Sequence, residues 1–195
     1  MTPKIDYLTL GAATAEYKRR GYKYVEVPWM VQPAAINATL PDCATSLVIA
    51  RGEKLLGPNE LVPYGFECGL VGSAEQGFIT MGLPPGAYVG VTPCFRHEPT
   101  LDLFHQTTFM KVELFVTLED ASLDRVIYDA SEVMSLYTDQ PILPVATADG
   151  IDLTISGIEV GSYGERTHPY FGKWIYGTGL ALPRFSVANA LSSIA

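Results

Sequence analysis

Residues 92–113 read T-P-C-F-R-H-E-P-T-L-D-L-F-H-Q-T-T-F-M-K-V-E, and this stretch decides the fold. Apolar and small residues predict one strand over residues 88–95 and a second over residues 108–116. The short loop between them predicts that the two strands form a hairpin. Because side chains alternate along a strand, Phe109 and Glu113 share one face of the second strand with Lys111 between them.

The end of the first strand adds two charged side chains to this hairpin. Arg96 and Glu98 lie two residues apart, so they share a face if the strand continues. A guanidinium offers planar, bidentate donors to phosphate, and the ring of Phe109 offers a stacking surface for a purine. A carboxylate accepts hydrogen bonds from an amine or a ribose hydroxyl. These residue types in this arrangement indicate a nucleotide-binding surface.

The ordered set F-R-H-E, a loop, and H-x-x-x-F-x-x-x-E is similar to motif 2 of the class II aminoacyl-tRNA synthetases. The surrounding T-P-C-F-R and F-x-K-V-E sequences most resemble the seryl branch of that family. The resemblance implies an α+β fold, in which helices flank a mostly antiparallel β-sheet. From the length of 195 residues we expect a single catalytic-core-like domain over residues 1–195, with no anticodon-binding domain.

Three other segments resemble the family in the same order. A helix followed by G-Y-K-Y-V-E-V-P at residues 21–28 resembles motif 1, which implies a homodimer interface. The sequence L-V-G-S-A-E-Q at residues 70–76 resembles the T-x-E loop of seryl- and threonyl-type enzymes, with serine in place of threonine. The sequence G-T-G-L-A-L-P-R at residues 177–184 resembles motif 3, and its glycines predict close approach of the backbone to a nucleotide.

The resemblance assigns a role to each matching residue. Arg96 would contact the α-phosphate and the substrate carboxylate, and Arg184 would hold the γ-phosphate; these two are the predicted catalytic residues. Phe109 would stack on adenine, with Glu98 near the adenine amino group. His105 would contact the β- and γ-phosphates, where the family often has arginine.

Two further groups complete the predicted site. Glu159 and Ser162 resemble the acidic strand that binds ATP with Mg²⁺, an ion that takes one or two carboxylates plus the phosphates. The amino-acid end is predicted to be lined by Ser73, Glu75, Glu113, Tyr176 and Thr178. Taken alone, Glu75 also suits the first turn of a helix capped by Ser73, and Glu159 also suits an exposed strand position.

The sequence departs from the seryl pattern in the amino-acid pocket. Seryl enzymes have asparagine where this chain has Tyr176, and serine where it has Thr178. A tyrosine reshapes the pocket, so the identity of the amino acid stays open. The loop at residues 99–104 is short and acidic, whereas in the synthetases it also touches the tRNA acceptor end. The acceptor therefore stays open between tRNA, a carrier protein and a small molecule.

Periodicity and turn residues predict the remaining elements. We expect a helix over residues 5–20 that Gly21 ends in the left-handed conformation, and a helix over 120–137 capped by Asp120 or Ser122. Prolines 141 and 144 predict a turn region. The other predicted elements are a strand over 22–27, a loop over 32–42, strands over 47–56 and 60–68, a strand pair over 152–162 around Gly157, and a helix over 185–194.

Composition limits the possible partners. Apolar residues make up 48% of the chain and charged residues 17%, which suits a sheet-rich domain or an oligomer. The net charge is −8, and the basic run at residues 18–20 suits a solvated helix end, so strong binding of nucleic acid is not expected. No apolar run reaches the length of a membrane span, and no signal pattern begins the chain, so we expect a cytoplasmic protein without membrane contact.

The cysteines predict neither disulfides nor zinc. Cys43, Cys68 and Cys94 are scattered and form no C-x-x-C pair. Some seryl-like enzymes hold zinc with two cysteines and a glutamate, but no matching late cysteine occurs here. Zinc is therefore not expected, and we expect buried, inert thiols. The expected small molecules are ATP and Mg²⁺.

Taken together, these features predict an ATP-dependent, AMP-forming ligase. It would activate an amino acid as an aminoacyl adenylate and pass the aminoacyl group to tRNA or another acceptor, as the synthetases do in protein biosynthesis. We expect it to be a cytoplasmic homodimer. The alternative is a non-catalytic paralogue that acts as a regulatory or assembly subunit. An unrelated sheet-rich binding protein with chance motifs is the third hypothesis.

Overall fold

The computed structural model describes residues 5–39, 49–51, 67–96, 98 and 100–192. Within these residues the chain forms five α-helices and ten β-strands. The helices are α1 Tyr7–Arg19, α2 Pro33–Asn37, α3 Ala74–Phe78, α4 Leu123–Met134 and α5 Arg184–Ser192. The strands are β1 Lys23–Tyr24, β2 Met30–Val31, β3 Ile49–Arg51, β4 Glu67–Leu70, β5 Ala87–Phe95, β6 Thr108–Val116, β7 Ile142–Ala146, β8 Ile151–Ile155, β9 Ile158–His168 and β10 Gly172–Leu182.

Seven of these strands form one sheet in the order β1-β5-β6-β10-β9-β8-β7. The β1–β5 pair is parallel, and all other neighbours in this sheet are antiparallel. Strands β2, β4 and β3 form a second, smaller antiparallel sheet. The predicted α+β fold with a mostly antiparallel sheet is therefore confirmed.

The hairpin that the sequence predicts is the β5–β6 pair. Gly90 is paired with Glu113, Thr92 with Lys111, and Cys94 with Phe109. Alternation along β6 sends Val112 and Leu114 into the main core, while Phe109, Lys111 and Glu113 face the other side of the sheet. One face of the hairpin is thus apolar and covered, and the other presents polar groups.

Helices α1, α4 and α5 cover the apolar face. Leu10 and Tyr17 of α1, Val126 and Met134 of α4, and Phe185 of α5 are buried together against the strands. Asp6 caps α1, because its carboxylate accepts hydrogen bonds from the backbone N–H groups of residues 8 and 9. Residue 21, the glycine after the helix, has a φ of +96°, which confirms the predicted left-handed ending.

A second apolar cluster covers one end of the opposite face. Phe78 of α3 stacks on Phe115 of β6 with ring centroids 5.0 Å apart, and Trp174 of β10 lies 6.3 Å from Phe115. Val27 and Val31 pack in the same cluster. This cluster leaves the polar residues of β6 uncovered further along the strand, and that region forms the cavity described below.

Three sequence predictions need correction. The predicted loop over 32–42 contains the five-residue helix α2, which begins at Pro33. Proline suits the first position of a helix because its φ is already helical and because an N–H there would have no partner within the helix. The predicted turn at residues 141–144 belongs to β7, an edge strand, where Pro144 interrupts no ladder. The predicted strand over 22–27 is limited to β1.

The other predicted elements lie close to the observed ones. Helix α4 begins after Ser122, whose hydroxyl accepts a hydrogen bond from the N–H of Arg125. The strand pair around Gly157 is β8–β9, and the last strand and helix are β10 and α5. Of the strands predicted over 47–56 and 60–68, only residues 49–51, 67 and 68 lie within the described residues. None of the described helices has both the length and the apolarity to cross a bilayer.

The glycines of β10 allow tight packing on the helices. A Cβ on Gly177 would lie 2.5 Å from the Tyr163 ring, and a Cβ on Gly179 would lie 2.8 Å from the Tyr17 ring and 3.0 Å from Val112. The Tyr17 hydroxyl donates a hydrogen bond of 2.9 Å to the Gly179 carbonyl. These glycines therefore serve the core, in addition to any role at the cavity.

We predict that Gly179→Ala lowers the free energy of unfolding by about 1–3 kcal/mol, the usual range for overpacking a core. The matched control is Gly11→Ala in α1, where a Cβ meets no atom within 4 Å. That substitution should raise stability by about 0.5–1 kcal/mol, because alanine favours a helix over glycine. Urea denaturation measures both, and equal effects of the two substitutions would contradict the packing argument.

Candidate active site

A cavity of about 800 Å³ lies on the polar face of the hairpin. Strands β6, β9 and β10, the start of α3 and the start of α5 all contribute side chains to it. Every residue predicted for the site lines this cavity except His105: these are Ser73, Glu75, Arg96, Glu98, Phe109, Glu113, Glu159, Ser162, Tyr176, Thr178 and Arg184. The structure thus brings together residues from four separate sequence segments.

Arg96 follows directly on the end of β5 and lies beside the predicted adenine platform. Its guanidinium carbon is 5.1 Å from the centroid of the Phe109 ring, and its Nε donates a hydrogen bond of 3.3 Å to the carbonyl of Gly72. The backbone N–H of Arg96 donates to the carbonyl of Thr107, which extends the hairpin pairing by one bond. The guanidinium is therefore held at the cavity wall with other donors still available.

Glu113 is a buried carboxylate in the lining of the cavity. Lys111 Nζ lies 2.8 Å from its Oε1, the Ser73 hydroxyl donates to its Oε2 over 2.6 Å, and the N–H of Glu75 donates to the same oxygen over 3.3 Å. Burial by itself would raise the pKa of Glu113, but the charge of Lys111 and these hydrogen bonds outweigh burial and lower that pKa. Glu113 is therefore a fixed negative charge.

Glu75 lies in the first turn of α3, with Ser73 as the N-cap. The sequence allowed two interpretations of Ser73 and Glu75, a capped helix start and a place in the site lining. The two are compatible, since the capped helix also presents Glu75 to the cavity. Trp174 Nε1 donates to Glu75 Oε1 over 2.6 Å, and Arg166 Nε lies 2.9 Å from the same oxygen. Burial raises the pKa of Glu75 to about 7, although the charge of Arg166 acts in the opposite direction.

The far end of the cavity is formed by β8, β9 and the start of α5. Arg184 Nη1 donates to Glu159 Oε2 over 3.1 Å, and its Nε and Nη2 donate to the carbonyl of Phe104 over 3.3 and 3.1 Å. Burial, together with the charge of Glu159, raises the pKa of Asp152, and a hydrogen bond with Ser162 opposes this shift. This end therefore combines one cation with several oxygen groups.

His105 is the one predicted residue that the structure does not bring to the cavity lining. Its Nδ1 lies 2.9 Å from both carboxylate oxygens of Asp102, and both side chains are about half exposed. Asp102 also accepts hydrogen bonds of 2.7 Å from the N–H groups of Phe104 and His105. The loop thus turns His105 toward its own carboxylate, and its contact with phosphates stays a prediction.

Sequence reasoning missed Arg166 and Asp152 as cavity residues. Alternation along β9 carries Ser162, Gly164 and Arg166 to one face, so extending the predicted strand beyond residue 162 would have indicated Arg166. Asp152 is paired with Ser162 across the β8–β9 ladder, which places it on the same face. Nothing in the sequence alone indicated that Arg166 meets Glu75, 91 positions earlier in the chain.

Two of the three cysteines, Cys68 and Cys94, lie within the described residues. Cys94 is buried next to Glu113, and burial raises its pKa to about 12. Cys68 is partly buried, and Cys43 lies outside the described residues. Within the described part of the chain, no group of three or more His, Cys, Asp or Glu residues could hold a metal ion by itself.

No family model matches the sequence, and no curated protein sequence is significantly similar to it. Two solved structures have a similar fold. The cytoplasmic serine-tRNA ligase from Naegleria fowleri, in complex with AMP, gives a TM-score of 0.71 at 19% identity. The seryl-tRNA synthetase from Pyrococcus horikoshii, complexed with ATP, gives a TM-score of 0.67 at 21% identity.

Both alignments cover 93% of this chain but only 47% and 49% of the two synthetases, so the chain spans about half of their length. At these identities the similarity shows the fold alone. It confirms the predicted resemblance at the level of structure: the chain has the α+β fold seen in class II seryl-tRNA synthetases.

The raised pKa of Glu75 predicts a pH dependence of stability. Because its folded pKa is about 7 and its ordinary value is 4.5, the folded protein binds this proton more tightly than the unfolded chain does. The free energy of unfolding should therefore fall as pH rises from about 4.5 to about 7, on the order of 1–3 kcal/mol. Glu113 has a lowered pKa, so its stabilising contribution to the folded state is lost only at more acidic pH.

Glu75→Gln should remove most of this decline, because glutamine does not titrate. Urea denaturation at several pH values between 4.5 and 7.5 measures it. The control is Glu165→Gln, which changes a more exposed carboxylate paired with Lys173 on the surface and should keep the slope of the parent protein. A Glu75→Gln slope equal to that of the parent would show that Glu75 does not carry the dependence.

Proposed function

We propose that the protein is an ATP-dependent, AMP-forming ligase that activates an amino acid as an aminoacyl adenylate. The observation that carries this proposal is the cavity itself, which gathers an arginine beside an aromatic ring, a second arginine at the far end, and buried carboxylates between them. The complexes of the two similar synthetases with AMP and ATP support a nucleotide as the ligand of this fold.

In the proposed reaction, a carboxylate oxygen of the amino acid attacks the α-phosphorus of ATP in line. The new bond joins that oxygen to phosphorus, and the bond between the α-phosphorus and the bridging oxygen breaks, so pyrophosphate leaves. The carboxylate is already a nucleophile, so no general base is required. The protein contributes positioning and neutralisation of charge.

Each residue of the nucleotide end has a proposed task. Arg96 neutralises the charge that develops on the α-phosphate and aligns the attacking carboxylate, as its place at the end of β5 allows. Phe109 supports the adenine ring, with Glu98 near the adenine amino group. Arg184 binds the γ-phosphate, and to do so it gives up its hydrogen bonds to the Phe104 carbonyl.

The oxygen groups of this end fit a magnesium ion that arrives with ATP. Glu159, Asp152 and Ser162 line one wall of the cavity, and the hydrogen bond between Asp152 and Ser162 opposes the rise that burial causes in the aspartate's pKa. Magnesium needs only one or two protein carboxylates when phosphates supply the other ligands. When bound, the ion would neutralise phosphate charge, while Glu159 and Ser162 would orient it.

At the amino-acid end, Ser73, Glu75, Glu113, Tyr176 and Thr178 surround the proposed substrate. Glu113 and Glu75 are the two buried carboxylates that could meet an ammonium group. The acceptor of the activated group can be tRNA, a carrier protein or a small molecule. Incubation with labelled amino acid, ATP and each acceptor class would identify it by the product that becomes labelled.

We predict that pyrophosphate exchange into ATP, measured with a panel of amino acids, depends on Arg96. Arg96→Ala should lower the exchange rate by about 100- to 1,000-fold, since a preorganised donor to the transition state contributes roughly 3–4 kcal/mol. Arg19→Ala is the matched control, because it removes an exposed guanidinium from the end of α1 and should exchange at the parent rate. An unchanged rate in Arg96→Ala would refute its role.

One observation favours the alternative, a non-catalytic regulatory or assembly subunit. Arg184, the proposed phosphate ligand, is engaged by the protein's own Phe104 carbonyl and by Glu159. A subunit that forms no adenylate can keep these contacts permanently. Binding of ATP without exchange for any carboxylic acid would favour this alternative over the ligase.

We further propose a homodimer that uses the segment after α1. Tyr24, Trp29 and Met30 are 44%, 55% and 46% exposed, and β1 forms an edge of the main sheet. Exposed apolar side chains that lie together mark interaction surfaces. Tyr24 lies within the segment at residues 21–28 that resembles motif 1, and Trp29 and Met30 follow it directly.

Trp29→Glu should convert the dimer to a monomer, because it places a charge in an apolar interface. Sedimentation equilibrium of the parent should give twice the chain mass, and that of the variant the chain mass. Tyr170→Glu changes an exposed ring in the turn between β9 and β10, and it should leave the dimer intact. A parent protein that sediments as a monomer would overturn the proposal.

A further inference from the structure

Arg166 is a cation inside the amino-acid end of the cavity that no predicted role explains. It lies on β9, lines the cavity, and has a side chain that is 29% exposed. The guanidinium carbon is 4.8 Å from the centroid of the Tyr176 ring, and Nε is 2.9 Å from Glu75 Oε1. The Tyr176 ring and the Glu75 carboxylate together fix the guanidinium over the space where the substrate is expected.

The charges at this end cancel before any substrate arrives. Glu113 is paired with Lys111 at 2.8 Å, and Glu75 is paired with Arg166 at 2.9 Å. An amino acid with an uncharged side chain would bring an ammonium group to a pocket in which both buried carboxylates already have cations. Its ammonium would have to displace Arg166 from Glu75 and leave a guanidinium without a counter-ion, which is costly at a partly buried site.

The remaining carboxylates of the cavity do not change this balance. Glu159 is held by Arg184, and Asp152 is hydrogen-bonded with Ser162 at the nucleotide end. Asp149 is exposed and Glu98 is only partly buried, so water screens their charges. A buried ammonium therefore has Glu75 or Glu113 as its partner, and both are already neutralised.

Arg166 also has hydrogen-bond donors to spare. Its buried Nε makes no hydrogen bond, because the approach to Glu75 is close but not directed along the N–H. A guanidinium carries five N–H donors in a planar fork that matches a carboxylate. Because Nε is buried, an anion would meet the two Nη groups, which make no hydrogen bond to the described residues, while charge and the Tyr176 ring hold the fork in place.

Tyr176 connects this arrangement with the departure from the seryl pattern. The asparagine of seryl enzymes could not offer a ring to a guanidinium, whereas the tyrosine at this position does so at 4.8 Å. The Tyr176 hydroxyl also donates to the carbonyl of Asp149 over 3.3 Å, which fixes the ring. The ring and the guanidinium reshape the pocket together.

We infer that the amino acid activated by this protein carries a carboxylate in its side chain, and that Arg166 binds that carboxylate. This inference rests on the proposed ligase function. An acidic amino acid brings an ammonium for Glu75 and a carboxylate for Arg166, so the internal ion pair is replaced by two ion pairs with the substrate. The charge balance of the pocket is kept, and the unused donors of Arg166 receive an acceptor.

The test is pyrophosphate exchange at pH 8 with aspartate and glutamate against asparagine and glutamine, which match them in shape and lack the charge. The acidic amino acid should have a kcat/KM at least 10-fold above that of its amide. Arg166→Met should lower the kcat/KM for the acidic substrate by roughly 10- to 100-fold, the range expected when hydrogen bonds to a charged group are lost. The preference over the amide should then disappear.

Two further variants separate a binding role from a structural one. Arg166→Lys keeps the charge but loses the planar fork, so it should retain part of the preference. Lys173→Met removes a cation from the neighbouring strand outside the cavity lining, where it pairs with Glu165, and it should keep the full preference. If Arg166→Met does not fold, the comparison of acid and amide in the parent protein decides alone.

The possible failures are distinguishable. Exchange that is faster with neutral amino acids, or with carboxylic acids that lack an amino group, overturns the inference and leaves ATP-dependent activation standing. An acid-to-amide ratio that is unchanged in Arg166→Met also overturns it. Exchange with no carboxylic acid at all overturns the ligase function and the inference together.

Discussion

The structure depends on one buried carboxylate, that of Glu113, and on the groups that neutralise it. Strand β6 presents this residue on its polar face, Lys111 supplies the charge, and Ser73 supplies a hydrogen bond from the cap of α3. The same contacts attach α3 to the main sheet, because the N–H of Glu75 in α3 also donates a hydrogen bond to Glu113 on β6. A buried charge without these partners would oppose folding, which means that the site and the fold are held by the same interactions.

The sequence predicts the parts of the molecule that local chemistry controls. Alternation in β6, the glycine after α1 and the serine before α4 each have one simple physical meaning, and the structure agrees with all three. Helix α2 was not foreseen, because five residues without a side-chain cap carry almost no periodic signal. Strand β7 was hidden by a proline that only an edge position tolerates.

The site shows the same division between local and long-range information. Three of the four motif-like segments carry cavity residues, because each of these three has its functional groups close together in sequence, whereas the segment at residues 21–28 does not line the cavity. The pairing of Glu75 with Arg166 joins α3 to β9 and depends on how these elements pack, so no local pattern could reveal it. The position of His105 likewise depends on the competing carboxylate of Asp102, which turns the loop side chain away from the cavity lining.

Strand β10 has two faces with different freedom to change. On the side toward the helices, Gly177 and Gly179 leave no space for even a methyl group, since the rings of Tyr163 and Tyr17 lie where a Cβ would stand. On the other side, Tyr176 is only partly buried: it packs against the second apolar cluster and also lines the cavity. Evolution of this strand is therefore constrained at positions 177 and 179, whereas position 176 can vary and so alter the wall of the cavity.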